Sequence, residues 1–142
     1  MQKLFTLLCF LFIMTAGNAA AAPLSIHTDA GAVRFNVEIA TSQKQQETGL
    51  MYRTRLPERT GMLFAYGTPP RVVSMWMRHT LIPLDMLFID EHGMIVNIHA
   101  GAKPNDETII TSRYNVTSVL EIPAGSLETY GISVGNTVSL SP

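Results

Sequence analysis

The chain has a single cysteine, Cys9, and it lies inside an apolar run at the amino terminus. Past that run no disulfide, thiol nucleophile or thiolate metal ligand is possible, so the fold must be held by its core. Basic residues are not in excess: 10 Lys and Arg stand against 11 Asp and Glu. That balance gives no general case for a nucleic-acid partner, which wants a basic domain. There is no Gly-x-Ser-x-Gly elbow, no His-Glu-x-x-His helix, no phosphate-binding glycine loop and no dinucleotide fingerprint, so the familiar hydrolase and nucleotide-dependent classes have no foothold. Internal repeats and low-complexity segments are also absent, and at 142 residues the length is that of one domain with a real core.

The amino terminus differs from the rest. Lys3 is the only charge before Asp29, and it precedes the apolar stretch Leu4 to Met14, which is too short to span a bilayer comfortably. A small-residue segment ending in four alanines follows. A basic start, a short apolar centre and a small-x-small end predict a secretory signal peptide over residues 1–21, cut after Ala21. A cut after Ala22 would put Pro23 beside the scissile bond. An uncleaved anchor is the alternative; a lipoprotein is not, because Cys9 has too little chain before it. The expectation is an exported protein, periplasmic or secreted, with no membrane span after cleavage. Residues 22–32 form a lead-in, and 33–142 a single β-rich domain.

Val33, Phe35, Val37 and Ile39 alternate with Arg34, Asn36 and Glu38, the period of a half-buried strand. Ser42 and Gln45 have capping-box spacing and predict a helix to Thr48, stopped near Gly49. Further strands are expected at Met62–Tyr66, Arg71–Arg78, Leu84–Ile89, Met94–His99, Val116–Ile122 and Thr137–Leu140, with a hairpin turn at Asp90-Glu91-His92-Gly93. Ala124 to Tyr130 predicts a short helix closed by Gly131 in a left-handed conformation. The fold class is therefore α+β, mostly β: one compact barrel-like sheet with one or two short helices.

Charge is uneven. Arg53, Arg55, Arg59, Arg71 and Arg78 share a stretch whose only acid is Glu58. That pattern is either a solvated face or a patch for an anionic ligand. In an extended segment from Ser74 to His79, Trp76 and Arg78 would share one face, and Met75, Met77 and His79 the other. The first pair could stack on a sugar or other flat ligand. The second trio has the thioether and imidazole donors that suit Cu(I), although Met75 and Met77 also make ordinary core filler. Asp85, set among Leu84, Met86, Leu87 and Phe88, must be turned out or held by a partner. Arg53 and Arg78 are candidate mates, or a backbone cap serves. Asp85 with His79 or His99 would be an acid/base pair if catalysis occurs. Asn115-Val116-Thr117 fits a glycosylation sequon.

Three motifs carry a resemblance. They are Glu47-x-Gly49-Leu50-Met51-x-Arg53-x-x-Leu56-Pro57 with Gly61-Met62-Leu63-Phe64; Trp76-Met77-Arg78-x-Thr80-Leu81-Ile82-Pro83-Leu84-Asp85-x-Leu87-Phe88-Ile89-Asp90; and Leu120-Glu121-x-x-Ala124-Gly125 with Gly131-Ile132-x-Val134-Gly135. Together they closely resemble the domain of unknown function 192 family, over roughly Val33 to Leu140. The resemblance implies an exported or membrane-attached prokaryotic protein, a β-dominated fold, and no established activity. It marks Glu47, Arg53, Trp76, Thr80 and Asp85 as a matched set and leaves Gly49 and Gly61 to backbone geometry. The family usually has an aromatic residue at the position of Met75 and Asn at that of His79, which argues against copper as a shared role.

Taken together, these readings favour a non-catalytic periplasmic binding or accessory module. It would take a small anionic or sugar-like ligand, or an envelope protein, through Glu47, Arg53, Trp76, Arg78, Thr80 and Asp85, with no cofactor. An envelope hydrolase or lyase using Asp85 with His79 or His99, and a copper-handling protein using Met75, Met77 and His79, are the alternatives.

Overall fold

The structure is a computed structural model and describes residues 21–141; all but the last residue of the expected signal peptide lies outside them. Among the described residues nine strands and two short helices follow one another. Seven strands form one sheet in the order β6-β5-β8-β3-β2-β1-β9. Here β1 is Ala21–Thr28, β2 Gly31–Ala40, β3 Thr60–Ala65, β5 Leu84–Ile89, β6 Ile95–Ala102, β8 Ser118–Pro123 and β9 Thr137–Leu140. The two ends of the sheet meet where Met94 bridges Thr137, and the Val138 amide donates to the Gly93 carbonyl at 2.7 Å. The sheet therefore curls into a half-barrel, as the strand count and spacing predicted.

The short elements bear out their signals. Helix α1, Gln43–Thr48, begins with the expected reciprocal box between Ser42 and Gln45 and ends at Gly49, whose φ of 47° suits glycine. Helix α2, Ser126–Tyr130, ends at Gly131 in the left-handed conformation. Gly61 is needed for closeness rather than for an unusual angle. A Cβ there would overlap the Glu121 carbonyl oxygen of the neighbouring strand and press on Ile122.

Two expectations change. Residues 22–32, read as a lead-in, contain most of β1, which pairs with β2 along its full length and with β9. Leu24 and Ile26 are buried by that pairing. The strand expected at Arg71–Arg78 shrinks to β4, Ser74–Met75, paired with the two-residue β7, Ile110–Thr111. Its alternation of exposed and buried side chains comes from lying extended on the core, not from a long ladder.

The central strands are buried on both faces; every residue of β5 is buried. Inside the curl, Leu24, Ile26, Phe35, Val37, Leu63, Leu87, Ile89, Ile95, Leu120 and Ile122 pack together, with Leu127 and Tyr130 of α2 against them. The opposite face carries Met62, Phe64, Leu84, Met86, Phe88 and Val119, under Leu50, Val73, Met75 and Met77. Val73, Met75 and Met77 reach this face from the segment between β3 and β5; the rest of the cover exists because β2 and β3 are parallel. A parallel pair needs a crossover, and this one carries α1 and the Gly49–Arg59 loop.

Candidate functional site

Where the cover leaves the sheet incompletely filled, there is a cavity of about 340 Å³. Helix α1 supplies Gln43, Gln46 and Glu47 to its wall, the following turn Leu50 and Met51, and the far side Ser74, Met75, Trp76 and Thr80. Phe64 and Tyr66 line it from β3 and just beyond, and Glu121 of β8 forms its floor.

Glu121 is the unusual group. It lies opposite Met62 on β3 and Met86 on β5, so it faces the covered side of the sheet, and it is only 4 % exposed. Among the described residues its carboxyl makes no hydrogen bond, and burial pushes its pKa up to about 8. Burial disfavours the charged form of any acid without a partner. Beside it the Tyr66 hydroxyl donates to the Met75 sulfur at 3.2 Å. Its pKa is pushed up to about 12, first by burial and then by the Glu121 charge, with Arg71 opposing. The Phe64 and Tyr66 rings stack at 6.4 Å. Glu47 sits exposed at the rim, where its carboxylate accepts from the Gln43 amide at 2.7 Å.

Of the residues named from the sequence, the structure brings Glu47, Trp76 and Thr80 to this cavity. It does not bring Arg53, Arg78 or Asp85. Arg53 forms a two-pronged pair with Glu38, one contact measuring 2.8 Å, and the bond from Arg53 holds the Glu38 carboxyl below its usual range. With both side chains about one-third exposed, solvent screening leaves such a pair worth about 1 kcal/mol at most. Arg78 reaches Glu107 at 3.4 Å and lies over the Trp76 ring at 5.5 Å. Arg59 and Arg71 lie over Tyr130 and Tyr66. Four of the five clustered arginines thus have partners of their own, spread over the molecule rather than gathered into an anion patch.

Asp85 needs no arginine. One of its carboxylate oxygens accepts from the Gly101 amide at 2.9 Å, the other from the Leu127 amide at 3.1 Å. Of the readings left open by the sequence, the backbone cap is the one observed. Its side chain points to the inside of the curl, as Leu87 and Ile89 do, whereas His99 pairs with Met86 and so points to the other face. An Asp85–His99 acid/base pair is ruled out by that register, because cross-strand partners share a face. His79 sits in the Met77–Thr80 turn at φ 53° and stacks on Tyr52 at 5.3 Å. With Arg78, Asn105 and Glu107 it borders a separate shallow cleft. The turn also takes His79 away from the buried face of Met75 and Met77, which are core residues, so the three copper candidates do not share one face.

Glu121 was missed as a site residue. The available signal was the one applied to Asp85: a lone acid in an apolar strand, here within Val119-Leu120-Glu121-Ile122.

A profile of the family DUF192, described as "Uncharacterized ACR", matches residues 25–140. A solved structure from Sinorhizobium meliloti 1021, described as a candidate transcription regulator, is similar with a TM-score of 0.83 and 41 % identity. The match covers 86 % of this chain and 95 % of that one. A protein of unknown function from Novosphingobium aromaticivorans DSM 12444 is similar with a TM-score of 0.80 and 36 % identity, over 84 % of each chain. Among curated proteins, none matches.

Proposed function

We propose that this chain, which belongs to the DUF192 family, is an exported, non-catalytic binding module whose small ligand occupies the cavity over Glu121. The observation that carries this reading is the floor of that cavity: a buried carboxyl with no partner among the described residues, ringed by Phe64, Tyr66 and Trp76. Leaving a polar group buried and unpaired costs stability, so its presence in an open-mouthed cavity is the mark of a group that meets something else. The cavity has the usual make-up of a ligand site, apolar walls with a few convergent polar groups. Its polar edge (Gln43, Gln46, Glu47, Ser74 and Thr80) and aromatic faces suit a sugar-like molecule. An anionic ligand finds no support at this cavity, because none of the described residues that line it is Lys, Arg or His.

Trp76 is the only tryptophan, 42 % exposed and part of the wall, so its fluorescence reports on ligands at this wall, and amide shifts separate them from ligands at the Arg78–His79 cleft. Titration with glucose, glucosamine and N-acetylglucosamine is expected to give a saturable change with at least one of them. Calorimetry with Trp76→Ala is expected to show roughly tenfold weaker binding, the equivalent of about 1.4 kcal/mol. No response to any sugar or amine, or ligand-induced amide shifts confined to the Arg78–His79 cleft or the arginines, would refute the site. The regulator description of the Sinorhizobium relative is covered by one further titration, because tight DNA binding would refute the small-ligand reading.

Export is tested separately. In a Gram-negative host the full-length chain is expected in the periplasmic fraction with Ala22 as its first residue. Ala21 is exposed at the start of β1, whereas Leu24 and Ile26 are buried, so such a cut spares the strand. A cytoplasmic product that keeps Met1 would overturn it.

A further inference from the structure

We propose that the ligand of the Glu121 cavity carries an ammonium group, seated against the Glu121 carboxylate with its carbon skeleton on Phe64, Tyr66 and Trp76. This inference rests on the binding reading above and names the chemistry of the ligand. Three observations converge on it.

The first is placement. Glu121 is 4 % exposed and lines the cavity. Among the described residues no fully sealed side-chain oxygen or nitrogen lacks a partner, and the Glu121 carboxyl bonds to none of them. Its oxygens are therefore turned to the cavity itself.

The second is charge. Among the described residues two acids, Glu47 and Glu121, line the cavity and no base does. Among the elements packed around Glu121, α1 offers Glu47, and the segment after β3 offers Tyr66. On β5, Asp85 faces away and is held by Gly101 and Leu127. Two cations lie over rings that line the cavity without lining its interior themselves: Arg71 lies over Tyr66 at 5.3 Å and donates to the Tyr66 carbonyl, and Arg78 lies over Trp76 at 5.5 Å and reaches Glu107. A small anion would find no base to pair with here, and would be repelled once Glu121 ionises. A neutral ligand would be served as well by glutamine, which bonds without the burden of a buried acid. A cation alone uses the negative charge.

The third is the wall. Aromatic faces attract cations through their negative π surfaces, and Phe64, Tyr66 and Trp76 all border the cavity. The volume, about 340 Å³, admits a single sugar ring or a small alkylammonium. An aminated sugar and an alkyl amine are the two sources of this chemistry.

Binding then moves a proton. Below the pKa of Glu121 the empty site holds a carboxylic acid. Entry of the cation breaks the carboxyl O–H bond, leaves a carboxylate paired with the ammonium, and releases one proton to solvent. Nothing is oxidised or reduced.

The test uses the purified protein and four probes, measured by calorimetry at pH 6, 7, 8 and 9. Choline carries a permanent charge, and 3,3-dimethylbutanol is its neutral isostere. Glucosamine and glucose form the corresponding sugar pair. At least one charged probe is expected to bind tenfold or more tightly than its neutral counterpart. For choline, affinity rises about tenfold per pH unit up to about 8 and then levels, with close to one proton released at low pH. Which charged probe binds identifies the skeleton. Glu121→Gln is expected to abolish both the preference and the pH dependence, and the rim variant Glu47→Gln to reduce affinity by a smaller factor. Equal binding of charged and neutral probes, or a preference kept in Glu121→Gln, overturns the inference while leaving the cavity as a neutral-ligand site. Binding of no probe overturns both readings.

Discussion

Glu121→Gln is expected to stabilise the protein above pH 8 by several kcal/mol and to remove a fall in stability that the unchanged protein shows between about pH 4.5 and pH 8. The folded protein binds the Glu121 proton more tightly than the unfolded chain does, with a pKa pushed to about 8 from an ordinary 4.5. Below pH 4.5 both states hold the proton and the burial carries no ionic cost. Between the two values only the folded state holds it, so each rise in pH favours the unfolded chain. Above 8 both states are ionised and the loss is complete. The shift is worth about 5 kcal/mol as a ceiling, a large part of the ~5–15 kcal/mol that keeps a domain of this size folded. Glutamine has nearly the same shape and no charge to lose, so its curve should be flat over this window. Urea unfolding at half-unit steps from pH 4.5 to 9 measures the effect. Glu38 works in the opposite sense: the Arg53 hydrogen bond lowers its pKa, so its contribution is present above the unfolded value and is lost as the pH falls below it. The two windows therefore meet near pH 4.5 and do not overlap. Parallel curves for the two proteins would show that the Glu121 carboxyl is already solvated or paired.

The second large effect is expected at Asp85. Replacement by alanine should cost about 3–5 kcal/mol, and by asparagine about 2–3 kcal/mol. The reason lies in two local irregularities that this one carboxylate repairs. Between β5 and β6 the pairing slips, from Leu84 opposite Ala102 to Met86 opposite His99. Such a bulge leaves a residue out of the ladder; the Gly101 amide, at φ 62°, is bonded by Asp85. At the other oxygen, helix α2 starts from Gly125, which offers no side-chain cap, so the Leu127 amide takes its acceptor from Asp85, 42 residues away in sequence. Alanine orphans both donors. Asparagine keeps one acceptor oxygen and turns an amide N–H towards the other donor. Thermal unfolding followed by circular dichroism gives the size of the effect, and hydrogen exchange at Leu127 and Gly101 gives its location. An Asp85→Asn protein that melts within 2 °C of the unchanged one, well inside the shift that about 1 kcal/mol produces, would show that one of the two bonds is dispensable. Ligand binding at the cavity should survive either change in molecules that remain folded, because Asp85 faces the other side of the sheet.

Asp85 and Glu121 also show how far the site was legible. Each is a single acid in a run of large apolar residues, and the sequence signal for the two is the same. The apolar neighbours of Asp85 leave two readings open, an arginine mate such as Arg53 or Arg78, or a backbone cap. The structure selects the cap, with two backbone amides. One comes from a bulge and one from the start of a helix that the sequence predicts, but that Asp85 reaches both amides depends on segments brought together from far apart. Glu121 received only the bonds of its backbone. Glu47, Trp76 and Thr80 were placed together on the strength of a resemblance and do meet at one cavity. Arg53 belongs to the same matched set and Arg78 was set beside Trp76 by strand alternation, but each is drawn off by a glutamate, Glu38 for Arg53 and Glu107 for Arg78. Pairings of that kind depend on which strands become neighbours.

The elements divide in the same way. Strand β2, the box that opens α1, the Asp90–Gly93 turn, the Gly131 stop and the last strand could all be read directly. Each is set by interactions within a few residues: alternation, a cap, or a backbone angle that favours glycine. The signal in β1 was present too, with Leu24 and Ile26 flanking Ser25, but its position just after the expected cleavage point masked it. The extended segment from Arg71 to Arg78 had the period of a strand without the partners of one. Sequence alone determined a cysteine-free β-rich domain, its family and most of its strands, because local periodicity and backbone preference are written residue by residue. The tertiary structure alone decided which acid is satisfied and which faces an open cavity, because a buried charge is settled by the groups that distant strands bring to it.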